Sequence, residues 1–208
     1  MSSMTARTTA PATRMRSADR RALVLEAATA VFGERGYVGA TTEAVAKAAG
    51  VSQPYVVRMF GTKEDLFLAV LRRALDLLLA TFRGAIDAGG PEHRADHADL
   101  HSRIAHSYAD LLGDRGLLLS LMHGFILGSD PAIGACARDG FLEVYRLLRD
   151  EAGFAPEEVR DFLADGMLLN TLVGLRMVDA YDASPAAREL LETALPSKLE
   201  FLRSLGPA

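Results

Sequence analysis

Apolar residues recur at three- and four-residue spacings along almost the whole chain after residue 18, which is the period of an amphipathic helix. The first helix has its apolar side at Val24, Ala27, Ala28, Val31 and Phe32. It is predicted to end at Gly36, which follows two charged residues. No strand-like alternation of apolar and polar residues runs beyond about five positions. The pattern therefore predicts an all-α protein of about nine helices.

Two short helices are predicted next, on either side of a tight turn. The first opens after Thr41 and ends at Gly50, and the second begins with Ser52 as its N-cap. Pro54 is tolerated in the first turn of the second helix, because a proline there removes no intrahelical hydrogen bond. This helix is expected to run to about Phe60.

A long helix is predicted from Lys63 to about Ile86. Thr62, with Asp65 three residues later, resembles a capping box in which Asp replaces the usual Glu or Gln. Five further helices are predicted near residues 97–112, 115–127, 131–151, 156–181 and 185–204. The last three open with a proline, which is common at the first helical position.

Charge is distributed unevenly between the two ends of the chain. The 208 residues include 23 Lys and Arg against 27 Asp and Glu, for a formal net charge of -4. Residues 1–73 hold 11 basic and 6 acidic side chains, whereas residues 74–208 hold 12 and 21. The overall acidity therefore does not exclude nucleic-acid binding, because the N-terminal third is basic. Such asymmetry indicates two functions on one chain.

Composition narrows the class of protein further. The single cysteine, Cys136, excludes an internal disulfide framework and a multi-cysteine metal site, and we expect a buried, inert thiol. The first 20 residues lack the apolar stretch of a secretory signal, and no apolar stretch reaches the ~18–20 residues of a membrane span. A soluble, cytoplasmic protein without a membrane segment is predicted.

The segment from Thr41 to Phe60 has the pattern of a helix-turn-helix. Gly50 supplies the backbone conformation of the turn, and Ala46 and Val51 are compact enough for close helix contact. The second helix of such a motif inserts its N-terminal residues into the major groove of DNA. The predicted DNA-contacting residues lie on this helix and at the starts of its two neighbours: Thr42, Ser52, Gln53, Pro54, Tyr55, Arg58 and Lys63.

Each side chain suits a particular DNA contact. Gln53 is the expected base reader, since its amide pairs with two atoms on the edge of adenine. Tyr55 suits a thymine methyl group or a phosphate, and Arg58 suits a guanine or the backbone. Thr42 and Lys63 stand at helix N-termini, where backbone N–H groups attract phosphate.

Residues 1–17 are predicted to form a disordered basic arm. The arginines of this arm and of the first helix either follow the DNA backbone or minor groove, or belong to a plain disordered tail. They are Arg7, Arg14, Arg16, Arg20 and Arg21.

The stretch from Arg20 to Leu71 resembles the N-terminal domain of the tetracycline-repressor (TetR) family of transcriptional regulators. The shared features, in family order, are the first helix with Phe32 and Gly36-Tyr37, the Thr41-Thr42 pair, the Ala49-Gly50-Val51-Ser52 turn, and Phe60 followed by Thr62-Lys63-Glu64 and Leu66. The chain departs from the family at Val57 and Met59, where members often carry Tyr and His. Because that Tyr commonly contacts phosphate, one backbone contact is missing here or transferred to Tyr55.

The resemblance implies a homodimer in which each subunit has a three-helix DNA-binding domain and a variable helical domain for a small effector. Effector binding usually spreads the recognition helices and releases the operator. We therefore expect a DNA-binding domain over residues 18–66 and an effector-binding and dimerisation domain over 67–208. The predicted function is a repressor that a small apolar or amphipathic molecule releases from double-stranded DNA.

An alternative is a helical ligand-binding or protein-interaction module with weak or no DNA binding, which the Val57 and Met59 departures leave open. Enzyme activity is not predicted, because the sequence has no phosphate-binding glycine loop, nucleophile elbow or paired carboxylates. No cofactor is predicted either.

An effector cavity in an all-α domain forms between helices, lined by apolar side chains with isolated polar groups. Asn170 and Arg176 are the stronger polar candidates, because a buried polar group needs a partner. The alternative for every candidate is ordinary helix packing. The candidates are Tyr108, Met122, His123, Phe125, Ile126, Phe141, Tyr145, Met167, Asn170 and Arg176.

By the resemblance, the dimer surface lies on the last two predicted helices, Pro156–Tyr181 and Pro185–Leu205. Both helices are apolar on more than one side, and such a helix buries both sides. The leucines concerned are Leu168, Leu172, Leu175, Leu191, Leu195, Leu199 and Leu202. A two-fold dimer sets its recognition helices ~34–36 Å apart and requires a near-palindromic DNA site.

His93, His97 and His101 are spaced by four residues, with Asp96 beside them. On a helix they line one face and suit a zinc or nickel ion. The Gly-Gly-Pro sequence just before them favours a polar loop and a solvated helix start instead. No metal site is therefore predicted.

Overall fold

The computed structural model describes residues 17–88, 97–111, 114–195 and 199–204. In chain order its helices are α1 (Ser17–Gly39), α2 (Thr42–Ala48), α3 (Gln53–Phe60), α4 (Lys63–Ala88), α5 (His97–Leu111), α6 (Arg115–Ile126), α7 (Pro131–Arg146), α8 (Pro156–Gly174), α9 (Pro185–Ala194) and α10 (Leu199–Ser204). A π-helical turn (Leu147–Glu151) continues α7, and a 3-10 turn (Met177–Ala180) follows α8. These ranges contain no strand, which confirms the all-α prediction.

The first three helices pack their apolar sides together, as the sequence predicts. On α1, Val24, Ala28 and Phe32 are fully buried. The helical path of α1 is broken at Gly36, whose φ of 68° and ψ of 172° lie outside the helical range. Between α2 and α3, Gly50 turns the chain with a φ of 65°, a left-handed conformation that glycine adopts without strain.

Side-chain hydrogen bonds mark the helix starts. Oγ1 of Thr41 accepts from the backbone N–H of Ala44 at 3.1 Å and caps α2. The capping box predicted for α4 is confirmed: the backbone N–H of Thr62 donates to Oδ2 of Asp65 at 3.0 Å, and that of Asp65 donates to Oγ1 of Thr62 at 3.1 Å. The backbone N–H and the hydroxyl of Thr62, which both donate to Oδ2 of Asp65, lower the pKa of this carboxyl. Ser52 occupies the N-cap position of α3, but its side chain makes no capping hydrogen bond there.

The last two predicted helices are shorter than the apolar period suggests. The helix expected over 156–181 stops early, because Arg176 takes a left-handed conformation with φ of 53° and ψ of 40°. The helix expected over 185–204 is interrupted at Leu195, which has φ of -134° and ψ of 49°. Leu195 precedes Pro196, and the residue before a proline is disfavoured in the helical conformation.

α4 is shared by the two halves of the molecule, and the domain boundary expected between residues 66 and 67 falls inside it. Its buried side begins with Leu66 and Phe67 next to α1 and continues to Phe82 and Ile86 among the C-terminal helices. The Phe82 ring meets the Phe162 ring of α8 edge to face, with 5.7 Å between ring centroids. A rigid helix therefore connects the core of one half to that of the other.

A second connection, which we call the α1–α6 seam, brings two helix backbones into direct contact at Gly33 and Gly116. A Cβ atom built on Gly33 would lie only 2.7 Å from Cα of Gly116, and one on Gly116 would lie 3.1 Å from the backbone oxygen of Thr29. Oγ of Ser120 donates to the backbone oxygen of Gly116 at 2.7 Å. The two helices approach this closely because neither glycine has a side chain.

None of the described helices, taken alone, has the length and apolar composition of a membrane span. α6 and the α7 segment meet those criteria only as a pair, and the chain bends by 115° between them.

Candidate DNA interface and effector cavity

α3 buries its apolar side and leaves its polar side accessible. Val56 is fully buried, whereas Gln53, Pro54 and Arg58 are exposed and Tyr55 is half-buried. The structure therefore places the residues predicted on this helix where solvent reaches them. A recognition helix turns such a side toward the major groove.

One side-chain hydrogen bond joins the N-terminal ends of α2 and α3. Nε2 of Gln53 donates to Oγ1 of Thr42 at 3.2 Å. The bond leaves Oε1 and the second Nε2 hydrogen of Gln53 for another partner. These two groups are the acceptor and donor that pair with adenine. The sequence predicted both residues as DNA contacts but not the bond between them.

Two arginines lie over aromatic rings of α3. The guanidinium carbon of Arg58 is 5.2 Å from the centroid of the Tyr55 ring, within the same helix. That of Arg21 is 4.3 Å from the centroid of the Phe60 ring. Arg21, expected in the basic lead-in, therefore ties α1 to the end of α3 by a cation–π contact. Of the N-terminal arginines predicted as DNA contacts, Arg7, Arg14 and Arg16 lie outside the described residues.

The ammonium group of Lys63 points back into the protein. Nζ donates to the backbone oxygens of Tyr37 at 3.0 Å and of Ala40 at 3.3 Å, and it lies 4.6 Å from the centroid of the Tyr37 ring. Lys63 thus fixes the segment between α1 and α2 against the start of α4. One of its three N–H donors is left for a phosphate, so the expected DNA contact stays a prediction.

Apolar side chains add to the exposed surface of the N-terminal helices. Val57 is 40% exposed and Met59 is half-buried at the two positions that depart from the family pattern. Val38, in the last residues of α1, is 85% exposed. Val38 was not predicted as part of this surface, because its only signal in the sequence is an apolar residue beside a glycine.

A small cavity, which we call the inner cavity, lies between α4, α5, α6, α7 and α8 and has a volume of about 50 Å³. The predicted effector residues that line it are Tyr108, Phe125, Phe141, Met167 and Asn170. The hydroxyl of Tyr108 donates to Oδ1 of Asn170, and both side chains are buried. Burial raises the pKa of Tyr108 to about 12, so its hydroxyl keeps its proton at neutral pH.

His123, also predicted at the effector site, lies instead between the two halves of the molecule. Its imidazole packs against the break in α1: a Cβ atom built on Gly36 would lie 3.1 Å from Cε1 of His123. Burial lowers the pKa of the imidazole. The missing side chain at Gly36 makes room for the ring, which sequence spacing does not reveal.

The remaining effector candidates also lie away from the inner cavity. Ile126 is 73% exposed at the end of α6, and Tyr145 is at the surface of α7. Nε of Arg176 donates to Oδ2 of Asp179 at 2.7 Å, so its partner is a neighbour in the chain. Met122 is half-buried on α6 and is not part of the cavity lining.

The leucines predicted for the dimer surface divide into two groups. Leu168 on α8 is 42% exposed, and Leu175, the C-cap residue of that helix, is 64% exposed. Their separation of seven residues, about two helical turns, puts them on the same side. Those buried within one chain are Leu172, Leu191 and Leu195. Leu199 is half-buried, and the side chain of Leu202 is outside the described part of the structure. The outward side of α8, with Leu168 and Leu175, is thus an exposed apolar surface.

The histidines on α5 are spaced as expected but do not form a metal cluster. Nδ1 of His97 is 3.5 Å from Oε2 of Glu158, and His101 is half-buried. Within the described ranges, no group of three or more metal-ligating side chains occurs, and His93 lies outside them. Cys136 is half-buried, and burial raises the pKa of its thiol.

The three N-terminal helices, with their glycine turn and a third helix that faces solvent, have the arrangement of a helix-turn-helix. A separate helical domain follows them. Residues 24–70 match the family model for bacterial regulatory proteins of the tetR family. The N-terminal helices therefore have the sequence of a tetR-family DNA-binding domain.

Curated relatives agree over the same region. The HTH-type transcriptional activator FasR of Mycolicibacterium smegmatis is 43% identical over 68 residues, covering 33% of this chain and 31% of that protein. The HTH-type transcriptional regulator RutR of Escherichia coli is 39% identical over 77 residues, covering 37% of this chain and 36% of that protein. The HTH-type transcriptional repressor KstR2 of Mycobacterium tuberculosis is 36% identical over 69 residues, covering 33% and 34%. These alignments span about a third of each relative.

Solved structures extend the likeness to the whole fold. A TetR family member from Streptomyces coelicolor A3 is 25% identical with a TM-score of 0.59, covering 91% of this chain and 99% of that one. The multidrug binding protein EbrR, complexed with malachite green, is 26% identical with a TM-score of 0.53. It also covers 91% of this chain and 99% of that one. The C-terminal helices therefore follow the family architecture as well.

Proposed function

We propose that this protein is a sequence-specific DNA-binding transcriptional regulator that reads its operator with α3. The observation that carries the proposal is the accessible side of α3, where the Gln53 amide is oriented by Thr42. The excess of basic residues in the N-terminal third supports it, because phosphate contacts supply much of the affinity for DNA. This function places the protein with the DNA in the cytoplasm.

Effector control is the second part of the proposal. The inner cavity lies in the C-terminal domain and contains one buried polar pair, Tyr108 and Asn170, among apolar walls. The relative EbrR has been solved with malachite green, which supports a small-molecule effector here. Release of the operator on effector binding makes the protein a repressor, although its relatives include an activator as well as a repressor.

Dimerisation through the outward side of α8, together with α9, completes the proposal. Leu168 and Leu175 are large apolar side chains in contact with solvent, and a partner surface would remove them from water. A two-fold dimer presents two recognition helices to successive major grooves, so the operator is expected to be near-palindromic.

Selection of bound fragments from genomic DNA, followed by titration of the selected site, tests the proposal. Arg58→Ala is expected to weaken binding, because it removes a cation from the DNA-facing side of α3. Arg160→Ala is the matched control, since it removes the same charge from an exposed site on α8. Equal affinities of the two variants would contradict the assignment of α3.

Salt dependence separates this function from the alternative of a ligand-binding or interaction module without DNA binding. Counterion release makes the logarithm of a DNA affinity fall linearly with the logarithm of the salt concentration. We expect such a slope together with a preferred site. Flat salt dependence and no site preference would favour the interaction module.

A further inference from the structure

The inner cavity is too small to hold an effector as it stands. Its volume is about 50 Å³, whereas a cavity that binds benzene measures roughly 150 Å³ and ligand pockets commonly measure ~300–1,000 Å³. An effector at this position therefore requires one wall to move. The neighbouring cavities show which wall that is.

An outer cavity of about 350 Å³ lies at the junction of α6 and α7 and shares Phe125 and Phe141 with the inner cavity. The two rings meet edge to face, with 5.8 Å between centroids and 86° between ring planes. Both side chains are half-buried. This ring pair is therefore the wall between the inner and outer cavities, and an edge-to-face contact contributes only ~0.5–1.5 kcal/mol.

The wall that contains Tyr108 and Phe162 is held more firmly than the Phe125–Phe141 pair. A third cavity of about 420 Å³ shares Tyr108, Phe162 and Gly166 with the inner cavity. Tyr108 is fixed there by its hydrogen bond to Asn170, and both Tyr108 and Phe162 also pack edge to face on Phe82. Moving this wall breaks a buried hydrogen bond, whereas separating Phe125 from Phe141 breaks none.

Asn170 determines which ligand groups can bind at the inner end of the inner cavity. The side chain is only 5% exposed, and its Oδ1 already accepts from Tyr108. The acceptor that the described residues offer its Nδ2 group is the thioether sulfur of Met167, at 3.9 Å. Because a thioether is a weak acceptor, this buried amide gains from a stronger one.

We infer that the effector enters between Phe125 and Phe141 and is an apolar molecule whose carbonyl-type oxygen accepts a hydrogen bond from Nδ2 of Asn170. This inference rests on the proposed effector control. The ligand occupies the joined inner and outer cavities, with its apolar body between the displaced rings and its acceptor at the inner end. A hydrocarbon of the same shape leaves the amide without an acceptor.

Two isosteric probes test the acceptor requirement. Acetophenone and α-methylstyrene differ only in a C=O group against a C=CH₂ group, and their affinities for the full chain are measured by NMR titration. We expect acetophenone to bind about tenfold more tightly, which is the effect of one buried hydrogen bond. The side-chain amide resonance of Asn170 should shift with acetophenone alone. Equal affinities for the two probes, or no binding of either, would overturn the inference.

Two variants break the same hydrogen bond from opposite sides and serve as a matched pair. Asn170→Leu removes the amide and is expected to abolish the preference for acetophenone. Tyr108→Phe keeps the amide and is expected to retain the preference. A preference that survives in Asn170→Leu, or that is lost in a folded Tyr108→Phe, would contradict the role of Asn170.

The entry route has its own variants. Phe125→Ala removes one ring of the wall and is expected to raise the affinity for both probes about threefold to tenfold, since no ring contact is then broken. Leu77→Ala, at an exposed position of α4 outside the linings of both cavities, is the control and should change neither affinity. Equal effects of the two substitutions would exclude this route. Operator titrations without probe on all variants keep a failure of DNA binding distinct from a failure of this site.

Discussion

The amide of Gln53 reaches across from α3 and donates its hydrogen bond to the hydroxyl of Thr42 on α2, so a residue outside the recognition helix fixes the orientation of the expected base reader. We therefore expect Thr42 to affect base preference without touching a base. Its effect would be transmitted by the orientation of one amide group. That distinguishes it from a residue that only contacts phosphate.

Thr42→Val replaces the acceptor with a methyl group of similar size. We predict a loss of discrimination at one adenine position, amounting to part of the ~1–3 kcal/mol that a bidentate base contact supplies. Competition titrations with operators changed at single base pairs measure it. Thr42→Ser keeps the hydroxyl and should retain the discrimination. A loss that is uniform over all sites would show instead that Thr42 is a phosphate contact.

Lys63→Ala is predicted to lower the free energy of unfolding as well as DNA affinity. It removes the hydrogen bonds from Nζ to Tyr37 and Ala40, which cost about 1 kcal/mol to lose at a half-buried site. Urea denaturation measures the stability, and titration of several DNA sequences should show a similar affinity loss for each. Lys47→Ala, at an exposed position on α2, is the control for charge removal. Equal stability of both variants would contradict the anchoring role.

Gly33→Ala is predicted to destabilise the protein by about 1–3 kcal/mol, since its Cβ would overlap the Gly116 backbone in the α1–α6 seam. Gly84→Ala provides the opposite control, because a Cβ at that helical position meets nothing within 4 Å. This second substitution should be neutral or stabilise by up to about 1 kcal/mol through helix propensity. Thermal and urea denaturation compare them, and effects of the same sign would refute the close contact.

His123 is predicted to make stability fall at acidic pH. Its pKa in the folded protein is lowered from the ordinary 6.5, so the unfolded chain binds the proton more readily. Its contribution is fully present above pH 6.5 and is lost as the pH falls below that value. Urea denaturation across this range should give a shallower pH dependence for His123→Gln than for the unchanged protein. Identical pH dependences would show that the ring is not protected from protonation.

Leu175→Glu is predicted to dissociate the dimer and thereby to weaken operator binding, because it places a charge on the outward side of α8. Sedimentation velocity reports the oligomeric state. Ile126→Glu alters an equally exposed apolar residue on α6 and should leave the dimer intact. The reverse result would move the interface to the α6 side of the molecule.

Features that depend on near neighbours in the chain were predictable from the sequence. The Thr62–Asp65 capping box and the turn at Gly50 follow from residue types at fixed spacings. The helix-turn-helix was predicted from the same kind of pattern. Five residues of the inner cavity were predicted because apolar side chains with isolated polar neighbours are typical of a cavity between helices.

Features that depend on distant contacts were not predictable. In the sequence His123 is a polar residue in an apolar stretch, and only the fold shows that its imidazole packs against Gly36. The sequence places Arg21 among the basic N-terminal residues, and only the fold shows that its guanidinium lies over the ring of Phe60. The left-handed conformation of Arg176 could not be predicted from the sequence either. That conformation is usually adopted by glycine or asparagine, and rarely by arginine.

The α1–α6 seam limits how the two halves of this protein can be recombined with those of its relatives. A chimera that joins residues 1–66 to a different C-terminal domain keeps Gly33 but exchanges the residue that faces it. A Cβ atom at that facing position would lie 3.1 Å from the backbone oxygen of Thr29, so the α1 backbone has to shift to make room for it. Transplanting the N-terminal half to a new sensor domain therefore favours a donor that also carries glycine opposite Gly33, whatever its effector.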